Sequence, residues 1–248
     1  MKRTVTMDDG IQFGLGAFET IAVEQGKGVL LSRHLARLDR SARFLGLGDL
    51  TERGLTMERA AEWIGENCPG HSACKILLTQ ENLVMRLRPN PYGPARYERG
   101  FHMDFSAVRR NETSPLTGHK TLNYGDCILE HRAAAAAGMD ERIFLNTRGK
   151  LAEGTVSNLF LVSGGRIHTP ALSCGLLPGV LRSYLLERYR VEEGEIDPRE
   201  LESFDECFVT NSLMGVMPVK QLGERIFPSR ETADRLRSAY EAEKEGRK

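Results

Sequence analysis

Apolar and polar residues form distinct blocks along the first half of the chain, and each block predicts an element. Residues 17–23 predict a strand, a turn follows around residues 26–28, and residues 29–31 predict a second short strand. Ser32 is then expected to cap a helix. That helix has apolar residues at helical spacing: Leu35, Leu38, Ala42 and Leu45.

A second helix is predicted to begin at Thr56 and to stop before Pro69. Its expected buried residues are Met57, Ala60, Ala61 and Ile64. Strands are predicted at residues 74–78, 83–87 and 101–108. Residues 89–94 contain three prolines, which remove backbone donors and therefore predict an irregular segment.

The second half predicts strands separated by helices. An alanine-rich helix over residues 126–137 is expected to end at Gly138. Later helices are expected from Pro178 to Tyr189, over residues 198–203 and from Ser229 onward. The predicted strands lie at residues 142–146, 151–162, 166–169 and 206–210.

The composition is that of a globular protein, with 40% hydrophobic and 27% charged residues in 248. The 34 acidic and 34 basic residues balance, so no global field favours nucleic acid or an anionic membrane. No signal peptide or membrane span is visible, and a cytoplasmic protein is expected. The five cysteines are odd in number and dispersed, which argues against a disulfide framework and against a zinc site, so no metal is expected.

Lys120 is the strongest single candidate for chemistry. Only eight of the basic residues are lysines, and Lys120 follows a connection with a proline and a glycine and precedes Thr121, Asn123 and Tyr124. A lysine held away from water by such neighbours becomes nucleophilic, as Schiff-base chemistry requires. The alternative is a solvated lysine in a domain connection.

Three further segments offer polar groups, each with an ordinary alternative. Glu153 lies among small and apolar residues, where a carboxylate needs a partner; it forms a structural hydrogen bond or faces a heterocyclic nitrogen. Residues 175–181 predict a helix start, whose free N–H groups suit an anion or merely water. Residues 210–212 offer hydroxyls and an amide after a strand, or form a simple turn.

Several motifs can be set aside. Gly14-Leu15-Gly16 lacks the third glycine of a dinucleotide loop and precedes a strand rather than a helix. No phosphate-loop lysine motif, nucleophile elbow or zinc-helix motif is present. Arg37 belongs to an arginine-rich helix, and taken singly it is typical of a solvated surface charge.

Taken in order, these segments resemble the class IV, or fold type IV, pyridoxal-phosphate enzymes over nearly the whole chain. The matching segments are residues 13–20, 34–38, 109–124, 153–160, 177–181 and 210–219. The last of them contains Asn211-Ser212-Leu213 and Met217-Pro218-Val219. In this it looks most like the aminodeoxychorismate lyases and less like the aminotransferases.

The resemblance implies an α+β protein with two α/β domains. A small N-terminal domain, residues 1–110, would contain an open antiparallel sheet with helices. Residues 111–118 would connect it to a larger C-terminal domain, residues 119–248, with a pseudo-barrel, helices and the Schiff-base lysine. A homodimer is also implied.

The resemblance further implies pyridoxal 5'-phosphate as the cofactor, attached to Lys120. Glu153 would protonate the ring nitrogen, and Tyr124 would contact the ring hydroxyl. The other implied cofactor-binding residues, several of them at the phosphate, are Arg37, Asn158, Leu177, Gly179, Val180, Leu181, Asn211 and Ser212. Arg86 or Arg88 would meet a carboxylate of a small-molecule substrate.

The implied reaction converts 4-amino-4-deoxychorismate into 4-aminobenzoate and pyruvate, a step of folate biosynthesis. A branched-chain or D-amino acid aminotransferase of the same fold is the alternative, since the cofactor residues do not separate the two reactions. A third possibility is a binding protein of this fold that has lost catalysis.

Overall fold

The computed structural model describes residues 5–244, which divide into two units. Unit 1 contains residues 5–91 together with His119–Tyr124, and unit 2 contains Tyr92–Gly118 and residues 125–244. This division differs from the expected boundaries at residues 110 and 118. Residues 101–110 pair into the sheet of unit 2, whereas the segment around Lys120 hydrogen-bonds to the first strand of unit 1.

Unit 1 is built on one antiparallel sheet. Its strands are β1 (Ala17–Glu24), β2 (Lys27–Gly28), β3 (Ser72–Leu78) and β4 (Leu83–Pro89). They lie in the order β2-β1-β3-β4, so β4 is an edge strand. The helices of the unit are α1 (Asp9–Phe13), α2 (Leu31–Phe44) and α3 (Met57–Asn67).

Side-chain alternation in β1 and β3 separates the two faces of this sheet. One face joins the helices in the core, with these fully buried residues: Ile21, Cys74, Ile76, Leu78, Leu38 and Ile64. The opposite face therefore carries the intervening residues Phe18, Thr20 and Lys75.

Two expectations about the helix starts of unit 1 had different outcomes. Thr56 caps α3, its hydroxyl accepting the Arg59 N–H at 3.2 Å, as predicted. The predicted Ser32 cap is wrong, because α2 already begins at Leu31 after a left-handed Leu30 (φ 51°) without a side-chain cap. Of the residues expected to be buried in α3, Met57 and Ala61 are exposed, whereas Ala60 and Ile64 are buried.

Unit 2 contains the remaining strands of residues 5–244. These are β5 (Phe101–Arg110), β6 (Glu141–Asn146), β7 (Leu151–Gly154), β8 (Asn158–Ser163), β9 (Arg166–Pro170), β10 (Val191–Gly194), β11 (Glu206–Asn211), β12 (Gly215–Leu222) and β13 (Arg225–Ile226). The order is β10-β9-β8-β11-β12-β5-β6-β7, and β7 also pairs with β8. The strands from β8 to β7 thus close into a ring, which removes the edge at β7 and leaves β10 as an edge strand.

The helices of unit 2 are α4 (Pro94–Arg99), α5 (Gly125–Ala136), α6 (Val180–Arg188) and α7 (Glu231–Lys244), with 3₁₀ turns at Leu172–Cys174 and Pro198–Ser203. Gly138 is left-handed (φ 74°) after α5, as expected. The helix predicted from Pro178 starts two residues later. No helix within residues 5–244 has the length and the apolar character needed to cross a membrane.

The α+β class, with an open antiparallel sheet followed by a pseudo-barrel, is confirmed. The single strand expected at residues 151–162 is wrong, because a turn at residues 155–157 divides it into β7 and β8. Three strands of unit 2 had not been predicted, namely β10, β12 and the two-residue β13. β10 is polar and gives no alternating pattern, and β12 contains Pro218, a residue that argues against a strand.

Candidate functional site

The segment around Lys120 pairs with the first strand of unit 1. The Lys120 carbonyl accepts a hydrogen bond from the Phe18 N–H at 2.9 Å, and the Leu122 N–H donates to the Gly16 carbonyl at 2.8 Å. Lys120 therefore lies beside β1, although the two are far apart in the chain.

Two aromatic rings line the Lys120 side chain. Its Nζ lies 4.6 Å from the centre of the Phe18 ring and 4.7 Å from the centre of the Tyr124 ring. The two rings meet edge to face, with centres 5.1 Å apart. Tyr124, a predicted cofactor residue, is thus next to Lys120. Aromatic walls limit the access of water, and desolvation is one way in which proteins make a lysine nucleophilic.

Gly14-Leu15-Gly16 allows this close approach. A Cβ on Gly16 would lie 2.6 Å from a methyl carbon of Leu122 and 2.8 Å from the Leu78 carbonyl. Gly14 is left-handed (φ +73°), and its carbonyl accepts a hydrogen bond from the Asn123 amide at 3.0 Å. Gly14 and Gly16, which were rejected as a dinucleotide loop, therefore leave space for the segment that contains Lys120.

Arg37 is buried rather than solvated. Its Nε donates to Glu19 Oε1 at 2.7 Å and a terminal nitrogen donates to Oε2 at 2.8 Å. His34 Nδ1 lies 2.7 Å from the same Oε2. The bidentate pair fixes the guanidinium plane on α2. Sequence reasoning missed this role of Glu19, because residues on a strand and on a helix show no common spacing.

The three groups shift one another's ionisation. Burial alone would raise the pKa of Glu19, but Arg37 and His34 hold that pKa far below its usual range. Burial lowers the pKa of His34, and the nearby Glu19 offsets this only in part. Glu19 is therefore ionised and opposes the positive charge of Arg37. Among residues 5–244 the buried His34 Nε2 has no hydrogen-bond partner.

In unit 2, Glu153 is held by two donors. An Arg110 nitrogen lies 2.6 Å from Oε1, and the Leu177 N–H donates to Oε2 at 3.0 Å. The Glu153 side chain is only 7% exposed, so the guanidinium stabilises its ionised form. Glu153 was expected to need a polar partner, and Arg110, at the end of β5, is that partner.

A second carboxylate orders the turn that follows Glu153. Glu141 is 1% exposed and accepts the N–H groups of Thr155 at 3.1 Å and Val156 at 3.2 Å. The hydroxyls of Thr155 and Ser157 also donate to it. This network fixes the turn between Glu153 and the start of β8. No sequence pattern predicts this network, since Glu141 and the turn belong to different elements.

The start of α6 presents unpaired backbone donors. Gly179 has no side chain to cap the helix, so the N–H groups of Val180 and Leu181 have no acceptor within it. The Asn158 amide donates to the Leu177 carbonyl at 2.9 Å. A Cβ on Gly179 would lie 1.9 Å from Asn158 Oδ1, so only glycine fits here. Helix starts of this kind bind anions.

Asn211 uses its side chain within a turn. Its Oδ1 accepts the N–H groups of Leu213 and Met214, both at 2.9 Å, and its amide donates to the Val156 carbonyl at 3.2 Å. These bonds close the connection between β11 and β12. Ser212 lies at the tip of that turn and is partly exposed.

The predicted site residues are distributed over both units. Lys120, Tyr124, Arg37, Arg86 and Arg88 belong to unit 1. The others belong to unit 2: Glu153, Asn158, Leu177, Gly179, Val180, Leu181, Asn211 and Ser212. In the part of the chain that the structure describes, no three His, Cys, Asp or Glu side chains are arranged to hold a metal ion.

A family model described as amino-transferase class IV matches residues 16–222. An aminodeoxychorismate lyase of Bacillus subtilis is 24% identical over 260 residues, which cover 95% of this chain and 88% of the relative.

Two solved structures resemble the fold closely. The 4-amino-4-deoxychorismate lyase from Pseudomonas aeruginosa has a TM-score of 0.85 and 29% identity, covering 96% of this chain and 94% of that one. A branched-chain aminotransferase from Thermoproteus uzoniensis has a TM-score of 0.86, covering 100% of this chain and 91% of that one. Its identity is 22%, so this second likeness shows the fold alone.

Proposed function

Because the chain belongs to the class IV aminotransferase family, as its motifs had indicated, we propose that it is a pyridoxal phosphate-dependent lyase that forms 4-aminobenzoate and pyruvate from 4-amino-4-deoxychorismate. Bound pyridoxal phosphate supplies an electron-accepting ring that stabilises negative charge on the carbon beside the reacting amine. The protein supplies attachment, orientation and proton transfer.

In this proposal Lys120 attaches to the cofactor and later acts as the base. Its position against the Phe18 and Tyr124 rings supports the role, since a lysine amine must lose its proton before it can form a covalent bond. Glu153 would keep a proton on the ring nitrogen, and Arg110 holds the Glu153 carboxylate in place. Tyr124 would contact the ring hydroxyl.

The phosphate is assigned to backbone and side-chain donors. The N–H groups of Val180 and Leu181 suit it, because they have no acceptor in α6. Arg37 adds positive charge on a guanidinium that Glu19 keeps in one orientation. Ser212 contributes from the tip of its turn. Asn211 acts through the turn, because its own side chain has other partners.

In the lyase reaction a C–H bond and a C–O bond of the substrate are broken. With the substrate amine held by the cofactor, the Lys120 amine would be free to remove the proton from the ring carbon that bears the substrate nitrogen. The bond between the ring and the enolpyruvyl oxygen breaks as the ring becomes aromatic. The departing enolpyruvate takes up a proton and becomes pyruvate, so no net oxidation occurs.

The turn at Asn211 is the main observation that favours a lyase over an aminotransferase. Its Asn-Ser-Leu segment is the feature in which the chain looks like the lyases; the Asn211 Oδ1 closes the turn, and the Asn211 amide nitrogen ties it to the Val156 carbonyl. Similarity to the Pseudomonas aeruginosa lyase over nearly the full length supports the same choice. The aminotransferase alternative is kept because the family model that matches residues 16–222 is described as amino-transferase class IV.

Supplying purified, cofactor-loaded protein with 4-amino-4-deoxychorismate distinguishes the two reactions. The lyase releases 4-aminobenzoate and pyruvate in equal amounts. A parallel reaction contains a branched-chain or D-amino acid with 2-oxoglutarate. Glutamate formation there, without 4-aminobenzoate in the first reaction, would decide for an aminotransferase.

A further inference from the structure

Three cations of unit 1 lie on the sheet face opposite the helices. In the register of the sheet, Lys75 on β3 is paired with Thr20 on one side and with Arg86 on the other. Arg88 follows two residues after Arg86 on β4 and so points to the same face. The face thus carries Lys75, Arg86 and Arg88 together.

The three cations share a lack of carboxylate partners among the described residues. Within residues 5–244 none of the three forms an ion pair with a carboxylate. Lys75 is partly buried, and burial, together with repulsion from Arg88 and Arg86, lowers its pKa. The face therefore holds positive charge that an anion would balance.

Protection of the edge strand from pairing with other chains explains only some of these positive charges. Charged residues on an edge strand discourage pairing with other chains, and Arg86 and Arg88 are exposed on the edge strand β4. Lys75 lies on β3, which is paired on both sides. A partly buried, unpaired lysine there costs stability and gives no protection to an edge.

Lys75 and Lys120 meet at the same aromatic ring. The Lys75 Nζ lies 4.4 Å from the centre of the Phe18 ring, and the Lys120 Nζ lies 4.6 Å from it. An anion bound by Lys75 would consequently lie close to the amine to which the reaction is assigned.

We propose that Lys75 binds the substrate carboxylate that is remote from the reacting amine, with Arg86 as a second positive charge. The inference rests on the proposed function, because it takes Lys120 as the reacting residue. The ring carboxylate of 4-amino-4-deoxychorismate lies opposite the amine and fits this arrangement. A branched-chain amino acid has no such group, so Lys75 selects against it.

A pair of probes isolates the carboxylate: 4-aminobenzoate carries it, and aniline lacks it. Dissociation constants for both are measured by calorimetry with the cofactor-loaded protein. Wild type is expected to bind 4-aminobenzoate about tenfold more tightly than aniline or better, the usual contribution of a charged hydrogen bond. Lys75→Met should abolish that preference and leave aniline binding unchanged, while Lys75→Arg should restore most of it.

Lys27→Met is the matched control, because Lys27 is exposed in the short strand β2 and the variant should keep the full preference. If Lys75→Met does not fold, Arg86→Met at an exposed position serves instead, with an expected loss of about threefold. A Lys75→Met variant that keeps the preference, or that weakens both probes equally, overturns the proposal. Because the probes need no turnover, this result is independent of whether 4-aminobenzoate is formed from the substrate.

Discussion

The two units treat charge at the candidate residues in opposite ways. In unit 2, Glu153 is paired with Arg110 and with a backbone N–H, so its geometry is set before any ligand arrives. In unit 1, Lys75 and Arg86 retain positive charge without a carboxylate partner among residues 5–244. Unit 2 thus presents prearranged hydrogen bonds around its candidate carboxylate, whereas unit 1 presents positive charge that no carboxylate balances among residues 5–244.

Glu19 differs from the unpaired cations of unit 1, because it is a buried carboxylate paired with Arg37. Of the changes considered, its substitution should lower the stability of the protein most. Glu19→Gln leaves the buried Arg37 without its counter-charge, which typically costs about 3–5 kcal/mol. Urea unfolding at neutral pH measures this. Because the pKa of Glu19 is lowered in the folded protein, its contribution is present above the usual carboxyl range and is lost as the pH falls. Wild type should therefore lose stability in acid more steeply than the variant. Equal stability at neutral pH would contradict this account.

Glu153→Gln tests the role of the carboxylate that unit 2 holds in place before a ligand binds. A neutral amide cannot hold the proton on the ring nitrogen, so turnover should fall about 10²-fold while Lys120 still attaches to the cofactor. Steady-state kinetics and the absorbance of the bound cofactor give the two readouts. Glu130→Gln is the control, because Glu130 binds Ser106 and Arg142 and should leave turnover unchanged. Full activity of the Glu153 variant would refute the assigned role.

Glu141→Gln should destabilise unit 2 less than Glu19→Gln destabilises unit 1. Most donors to Glu141 are neutral N–H and O–H groups, and leaving one unsatisfied costs about 1–3 kcal/mol. The same urea experiment compares the two variants. A larger loss for Glu141→Gln would reverse the proposed contrast between the units.

Gly179→Ala should have the smallest effect of the four. The added Cβ displaces Asn158 from the helix start, and cofactor affinity should fall about tenfold, an energy within the usual cost of overpacking. Gly194→Ala is the control, since a Cβ there meets no atom within 4 Å. Titration with pyridoxal phosphate compares them, and equal affinities would remove Gly179 from the phosphate site.

Local sequence signals predicted the parts of the fold that depend on a few neighbouring residues. Thr56 caps its helix, and the 3₁₀ turn at Pro198–Ser203 matches the predicted bounds because Asp197 and Glu200 form a capping box. The predicted Ser32 cap failed because the left-handed Leu30 starts the helix earlier. Strand β12 was not predicted because Pro218 argues against a strand. The strand forms because it pairs with β11 on one side and with β5 on the other.

Pairs that join distant elements could not be predicted in this way. The order of motifs pointed to Lys120, Glu153 and Arg37, but no spacing relates Arg37 to Glu19 or Glu141 to Thr155. Lys75 was missed because alternation along β3 shows only which face it occupies. Its contact with the ring of Phe18 depends on the pairing of two strands.

Mapping the lysine that carries the cofactor tests the central claim most directly. The protein is loaded with pyridoxal phosphate, reduced with borohydride, digested and examined by mass spectrometry. The account predicts that the label lies on Lys120 and that Lys120→Ala abolishes it. A label on Lys75, which contacts the same ring, or on any other lysine would contradict the account, as would the absence of a label.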